Sequence, residues 1–514
     1  MRSKNGSLFI KTVQLIMFAL LAKGFGFIRE VVLANCYGAG AVSDVFVVVQ
    51  NIPAVIFSVF GAAVTTGFIP LYSELKVKKG KDSAKHFTSN VISIFVILSL
   101  AFTVIGIIYS NYLVDIFAGG FSGKTYDLCN AFAKIIMPSS IAIILGYVYN
   151  AFLQTEGYFN QNSLMNVPYN LIQIAFIIFG FYLGKPLLLA LGILLSSFGQ
   201  LLYLYIESRK KTDYRFHFEC SFRDETLLQM LKLVGPVFLS TAIGQLNTII
   251  DRSLASGLEA GSASALNYAN EVTNIITQVV ILSMTTIMYP KLTELFASKD
   301  ESRFTFSHRY IEAISLIVVP SSVALILFSK DIVCVLFARG AFDSRSVAMV
   351  SGALSVYAVG VIGIAFRDVL NKIFYSLKDT VTPMVNGSIC VGLNICLNLA
   401  LVGRFKYLGL AAATSISATV AILIMFFSLW RKDHALVKAP VATVFVKHLS
   451  GALLSSVLLW FIGSVFGMTA GLFRLLVLGF AYLVSYFLML LILREQNAVG
   501  AFKHLRFMVN RLST

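Results

Sequence analysis

L-A-N-C-Y-G-A-G, Leu33 to Gly40, returns as L-A-S-G-L-E-A-G at Leu254 to Gly261. Each copy leads into an apolar run that ends P-x-x-[S/T]-E-L, at Pro70 to Leu75 and again at Pro290 to Leu295. The offset of about 220 residues leaves room for six apolar runs of membrane-crossing length, at about 20 residues each, between one copy and the next. Because six is even, both copies start on the same side of a bilayer, so the repeats are parallel and related by an axis along the membrane normal. Two such lobes facing each other enclose a central cavity, which is a transporter architecture. The competing reading is chance likeness between membrane helices, which are glycine-rich in any case.

The whole composition supports lipid as the solvent. Of 514 residues, 57% are hydrophobic and 13% charged, more apolar surface than one soluble core can hide. About fourteen spans are expected between the N-terminus and Leu493, among them 128–153, 382–402 and 408–430. The fold class is therefore an all-α polytopic membrane protein. A six-helix lobe is expected over 1–222, a second over 223–432, and two additional helices with a tail over 433–514. The run from Leu8 carries Lys11, Lys23 and Arg29 and has no cleavage pattern, so it is expected to remain as a helix rather than act as a signal. Six cysteines without C-x-x-C spacing suggest neither a zinc site nor a disulfide framework, and are expected to be small packing residues.

A net charge of +16 raises nucleic acid as a partner, but the basic residues sort by loop rather than onto one soluble patch. Lys76, Lys78, Lys79, Lys81 and Lys85 follow the second run; Arg209, Lys210, Lys211, Arg215 and Arg223 follow the sixth; Arg494, Lys503, Arg506 and Arg511 form the tail. Alternate loops are short and almost free of Lys and Arg. The positive-inside rule then places both termini in the cytoplasm, and no nucleic acid partner is expected.

An ionisable side chain at mid-membrane costs about 2.5–3.5 kcal/mol on insertion scales, so each needs a partner, a wet cavity or a task. Lys23, Arg29 and Glu30 lie in the first run, Asp44 enters the second near the outer end where it can reach Arg29, and Glu271 lies in the eighth. A cationic cluster facing a cavity suits a phosphate or pyrophosphate head group. The alternative is an ion-pair network of Arg29, Glu30 and Asp44 that locks two helices together. Asp251 in the seventh run, Asn394 and Asn398 four apart in the eleventh, and Thr414 in the twelfth offer oxygen-only ligands of the kind a hard cation such as sodium takes. An interhelical hydrogen-bond network, with Arg252 neutralising Asp251, explains the same residues equally well.

Enzyme readings fare poorly. All six histidines fall in or beside expected cytoplasmic loops, which leaves none in the bilayer as a base. A-G-G-F-S-G-K-T, Ala118 to Thr125, fits a loose phosphate-loop pattern, but it lies in a turn between two spans and lacks the preceding strand such a loop requires.

With these residues in view, the chain resembles the MurJ (MviN-type) lipid II flippases of the MOP exporter superfamily. The likeness rests on an ordered set: G-F-I-R-E at Gly26 to Glu30, Y-G-A-G-A-V-S-D-V-F at Tyr37 to Phe46, Asn51 to Pro53, and G-F-I-P at Gly67 to Pro70. It continues with A-L-N-Y-A at Ala265 to Ala269, R-G-A-F at Arg339 to Phe342, F-Y-S-L-K-D-T-V-T-P at Phe374 to Pro383, and L-G-L-A-A-A-T-S at Leu408 to Ser415. The resemblance implies fourteen helices and a cationic cavity for the pyrophosphate and sugar-peptide head of lipid II. It further implies a groove for the polyprenyl tail on the last two helices. Substrate contacts would come from Lys23, Arg29, Glu30, Asp44, Asn51 and Glu271. A sodium site would map to Asp251, Asn394, Asn398, Thr414 and the carbonyl of Leu410; no organic cofactor is implied. The sequence departs from the family pattern in three places. It has Ile56-Phe57-Ser58 where an arginine is usual, Tyr268-Ala269-Asn270-Glu271 where another cation is usual, and Asn398 in place of an aspartate.

The expected function is a non-enzymatic, monomeric flippase in the bacterial cytoplasmic membrane, moving lipid II between leaflets by alternating access. Rival expectations are a flippase for another polyprenyl-linked oligosaccharide, a cation-coupled drug exporter of the same superfamily, and a membrane scaffold for cell-wall enzymes.

Overall fold

The computed structural model describes residues 2–436, 439–465, 470–495 and 499. The tail cations Lys503, Arg506 and Arg511 lie outside them. Among the described residues the chain is helical throughout, without a strand. It begins with α1 (Arg2–Tyr37), α2 (Ala41–Ala63), α3 (Ile69–Lys78), α4 (Gly80–Ile108), α5 (Ser110–Ala118), α6 (Gly123–Ile136) and α7 (Ser139–Thr155). Next come α8 (Gln161–Leu164), α9 (Asn166–Tyr182), α10 (Leu187–Lys211), α11 (Glu225–Ser256) and α12 (Ser262–Ala297). The remainder is α13 (Ser302–Leu327), α14 (Ser329–Phe337), α15 (Ser344–Ser376), α16 (Val381–Lys432), α17 (Ala439–Val465) and α18 (Leu472–Ile492).

Nine helices among the described residues are long and apolar enough to cross a membrane, and α6 with α7 makes a tenth if the pair is one span. That pair is bent by 47°. The sequence suggested one straight span over 128–153; Pro138, between the helices, supplies no N–H to continue the ladder. Apolar side chains stand out along these helices, Leu100, Val104, Ile105 and Ile108 on α4 and Phe473, Leu476, Phe480 and Leu483 on α18. In water such faces would be unfavourable; in lipid they are the solvent-matched surface.

The chain divides into two compact units, Met1–Ser264 with Arg339–Asp343, and Ala265–Ala338 with Ser344–Thr514. Helix α11, in whose last turn the second copy of the repeat begins, packs on α2 and α5 within the first unit.

The core of the first unit is aromatic: Phe57, Phe68, Tyr72, Phe87, Phe152 and Tyr214 are all buried together. Phe57 belongs to the Ile56-Phe57-Ser58 stretch, where the family resemblance implies an arginine; its ring meets Phe60 and Phe102 at centroid distances of 6.1 and 5.7 Å. Between α2 and α3 the backbone takes a π-helical turn over Val64–Phe68. The helix line then delivers Tyr72 and Lys76 to Glu156 at the end of α7, at 2.7 and 2.6 Å. Burial pushes the Glu156 carboxyl up, but these two donors outweigh it and hold it below the ordinary range.

In the second unit α16 is a hairpin, not one 52-residue rod. Lys406 breaks it with φ 52° and ψ −134°. Asp379 pairs with Lys432, Asn386 with Ser428 and Asn394 with Ser417, and all three pairs are centred within about one residue of Lys406. The two arms correspond to the spans expected at 382–402 and 408–430. At the open end Asp379 also accepts from the N–H groups of Val381 and Thr382. Burial raises its carboxyl, yet Lys432 and Thr382 bring it down to about 2. One arm lies close against α15: a Cβ on Gly363 would meet the Ala418 carbonyl at 2.5 Å, so the small residue permits the approach.

Helix α18 docks on α13 through a defect in α13. Pro320 removes the N–H that would bond the carbonyl of Leu316. Tyr486 Oη donates to that carbonyl at 3.3 Å, and Tyr482 Oη donates to the Pro320 carbonyl at 3.1 Å. His448, expected beside a loop, is instead fully buried in α17 with Nδ1 2.9 Å from Ser315 Oγ. The cysteines are not all packing residues either, since Cys220 and Cys396 are exposed. Tyr486→Phe is expected to lower the stability of the detergent-solubilised protein by about 1 kcal/mol, read as a fall in its thermal midpoint, because the Leu316 carbonyl then has no donor from α18.

Candidate functional site

Helix α1 carries the cations that the sequence singled out, and the first unit shows how one of them is held. Arg29 Nη2 donates to Glu30 Oε1 at 2.5 Å, and Arg29 Nη1 donates to Asn170 Oδ1 on α9 at 3.2 Å. Glu30 is buried and the Arg29 side chain is 13% exposed, so the pair sits inside a membrane-length helix bundle with its guanidinium plane fixed from two sides. Asn170 in turn donates from Nδ2 to the Asn166 carbonyl at 2.7 Å. Gly26 faces Asn170, which leaves space for the amide beside α1. Lys23, two turns earlier, is exposed on the same helix.

A cavity of about 280 Å³ with a mixed polar and apolar wall lies within the first unit; Arg29 and Glu30 are not among its lining residues. Gln50, Asn166, Tyr169, Ser197 and Gln200 are among its lining. Asn166 therefore belongs both to the cavity wall and to the ladder that positions Arg29. These residues were not among the candidates, although Asn166 and Asn170, four apart in a largely apolar helix, carried a signal. Asn51 is not among the lining residues; its Nδ2 donates back to the Val47 carbonyl at 2.7 Å, while its neighbour Gln50 faces the cavity.

Asp44 does not pair with Arg29. It is 2% exposed, with Oδ2 accepting from the Gly261 N–H at 2.6 Å and Oδ1 from the N–H and hydroxyl of Ser264, both at 2.7 Å. These donors surround the first turn of α12, where the unsatisfied N–H groups and the helix dipole favour a carboxylate. The acid thus ties the turn of the first repeat copy to the turn of the second. The approach is close: Gly261 has φ +96°, and a Cβ there would meet the Ala39 carbonyl oxygen at 2.4 Å. Nearby, the Gly120 N–H donates to Ser256 Oγ at 3.0 Å, and a Cβ on Gly120 would lie 2.1 Å from Gly257 Cα. The segment that matched a loose phosphate-loop pattern is therefore a packing surface. Ala341 N–H adds a bond to the Asn35 carbonyl at 2.8 Å, so the turns near 35–40, 119–121, 256–261 and 339–342 are joined within one unit.

The positions considered for sodium fall in both units. Asp251 lies on α11 of the first, where Asn247 Nδ2 approaches its Oδ2 at 3.5 Å. In the second, Asn398 Nδ2 donates to Asn394 Oδ1 at 3.0 Å, Asn394 Nδ2 to Ser417 Oγ at 3.3 Å, and Thr414 Oγ1 to the Leu410 carbonyl at 3.1 Å. The bond between the two arms runs from Asn394 to Ser417, while the Asn398–Asn394 and Thr414–Leu410 bonds each lie within one arm of α16. Glu271 is half-buried on α12, in the second unit.

Fold and site define a polytopic helical transporter. A structure described as an inward-facing multidrug resistance MATE family transporter of the MOP superfamily superposes with TM-score 0.69 at 15% identity, over 83% of this chain and 98% of that one. A structure described as lipid II flippase MurJ, inward closed conformation, superposes with TM-score 0.82 at 22% identity, over 94% and 99%. The sequence profile of the family described as lipid II flippase MurJ matches residues 33–492, and the chain belongs to that family. A probable lipid II flippase MurJ of Buchnera aphidicola subsp. Schizaphis graminum is 27% identical over 91% of this chain and 94% of its own length. The corresponding Vibrio cholerae protein is 26% identical over 86% of each.

Because the Asp44 carboxylate caps buried N–H groups, Asp44→Ala is expected to cost about 2 kcal/mol of stability, seen as a lower thermal midpoint in detergent. A midpoint equal to wild type would instead make Asp44 a residue with no structural duty.

Proposed function

We infer that this chain is a lipid II flippase, carrying the head group of that precursor from the inner to the outer leaflet of the bacterial cytoplasmic membrane. The observation that carries the reading is the oriented guanidinium of Arg29, braced by Glu30 and by Asn170, whose own partner Asn166 lines a cavity of the first unit. Such a group binds a pyrophosphate in a low-dielectric site where charge-assisted hydrogen bonds are strong. Glu30 offsets the cation between substrates, so that phosphate exchanges for carboxylate rather than for lipid. Lys23 adds a second positive charge on the same helix, and Glu271 balances charge in the second unit. The head group crosses by alternating access while the polyprenyl tail stays in lipid.

Both termini are proposed to face the cytoplasm, with the protein acting as a monomer. An anionic head group leaving a negative cytoplasm gains about 2.3 kcal/mol per charge per 100 mV, which makes the membrane potential a sufficient drive. The oxygen donors of Asn394, Asn398, Thr414 and Leu410 are of the type a sodium ion takes, and a cation there would add local positive charge to the second unit.

A flippase for a different polyprenyl-linked oligosaccharide is the second reading. It is favoured by Phe57, whose burial among Phe60 and Phe102 leaves no cation at that point of α2. Complementation of a conditional lipid II flippase mutant separates the two. Wild type is expected to rescue growth and Arg29→Ala to fail by at least about tenfold in plating efficiency, at equal membrane abundance, as expected for loss of a charge-assisted contact. Absence of rescue by well-expressed wild type selects the second reading.

A further inference from the structure

The loop 212–224, which joins α10 to α11, is stitched to one face of α4. His86, Ser89, Asn90 and Ser93 follow one another at helical spacing, and each reaches the loop. Ser89 Oγ is 3.0 Å from Tyr214 Oη; Asn90 exchanges two hydrogen bonds with the backbone of Ser221, at 3.1 and 2.8 Å; Ser93 Oγ accepts from the Glu219 N–H at 3.0 Å. The fourth position of the face, His86, meets His217 and Glu219.

Three ligand atoms converge there. His86 Nδ1 lies 3.0 Å from Glu219 Oε2 and 3.2 Å from His217 Nε2, and His217 Nε2 lies 3.3 Å from Glu219 Oε2. Zinc bonds to imidazole nitrogen and carboxylate oxygen at about 2.0–2.2 Å, for which the edge of a regular tetrahedron is about 3.3–3.6 Å. The three atoms therefore already outline one face of a zinc tetrahedron, a few tenths of an ångström tighter than the bound state requires.

The surroundings fix the ring that matters most. His217 Nδ1 is 3.3 Å from Ser89 Oγ and 3.4 Å from the Arg215 carbonyl, which can only accept, so the proton belongs on Nδ1. The Nε2 lone pair then points at His86 and Glu219. Because Asn90 and Ser93 hold the loop backbone on α4, these ligands require little ordering on binding. His86, His217 and Glu219 keep side-chain exposures of 62, 47 and 40%, which leaves the fourth position open to water.

We propose that His86, His217 and Glu219 form a binding site for a divalent transition metal of the zinc type. Two imidazoles with one carboxylate suit zinc or its neighbours and disfavour magnesium or calcium, which take oxygen ligands. A bound ion clamps the loop that feeds α11 to α4. The competing arrangement is a proton shared between His86 and Glu219 with no ion. The site lies apart from Arg29 and its test does not depend on transport, so it stands or falls separately from the flippase reading.

The test is titration of the tag-free, full-length protein in detergent with cobalt(II). One equivalent is expected to give the intense visible absorption of tetrahedral cobalt, displaced by zinc, with the thermal midpoint rising on zinc addition. His217→Ala and Glu219→Gln are expected to weaken binding by about tenfold or more and to abolish the thermal shift, while His434→Ala retains both. All three ligand positions are exposed, and an unchanged elution profile verifies that each variant is folded. Absence of tetrahedral cobalt in the wild type, or equal binding by the variants, overturns the site.

Discussion

In hydrocarbon no water is available to a backbone N–H or C=O, and every break in a helix must be answered by another part of the protein. Much of this structure follows from that requirement. Where Pro320 withdraws a donor from α13, a tyrosine of α18 supplies one. Where α12 begins with unsatisfied N–H groups, Asp44 reaches from α2 to accept them. Where α16 turns at Lys406, the two arms zip together through side-chain pairs. The places at which the helices are irregular are the places at which they recognise one another.

Asp44 shows how this changes the meaning of a charged residue. An acid in a membrane helix is first read as a functional group, because its burial is expensive. Here the expense is offset by three short hydrogen bonds and a helix dipole, and the residue becomes an anchor between the two copies of an internal repeat. Arg29 answers the same physical demand differently. Its partners are side chains rather than backbone N–H groups, a carboxylate on its own helix and an amide on α9.

The helical class and the pairing of Arg29 with Glu30 were legible in the sequence, because apolar run length and the cost of intramembrane charge are local properties. The partner of Asp44 was not, since the nearer cation Arg29 was the obvious choice and a backbone N–H leaves no mark in a sequence. The bend between α6 and α7 escaped notice although Pro138 marks it, because the apolar run continues across it. His448 was misplaced for a related reason: its position near a basic loop suggested exposure, whereas its packing depends on Ser315, far away in the chain. His86 and His217 stand 131 residues apart. Only the docking of a polar loop on α4 brings them together, and no periodicity predicts that.

The π-helical turn at Val64–Phe68 amounts to one surplus residue in an otherwise continuous helix. Each residue of an α-helix advances the side chains by about 100°, so the surplus sets the angular phase of everything after it. Upstream, α2 turns Phe57 into the aromatic core; downstream, α3 turns Tyr72 and Lys76 to Glu156. Removing that residue would leave both halves helical and equally apolar, yet α3 would present a different face to α7. Hydropathy is blind to such a change, and an alignment that closes a one-residue gap at this point would silently exchange the inner and outer faces of α3.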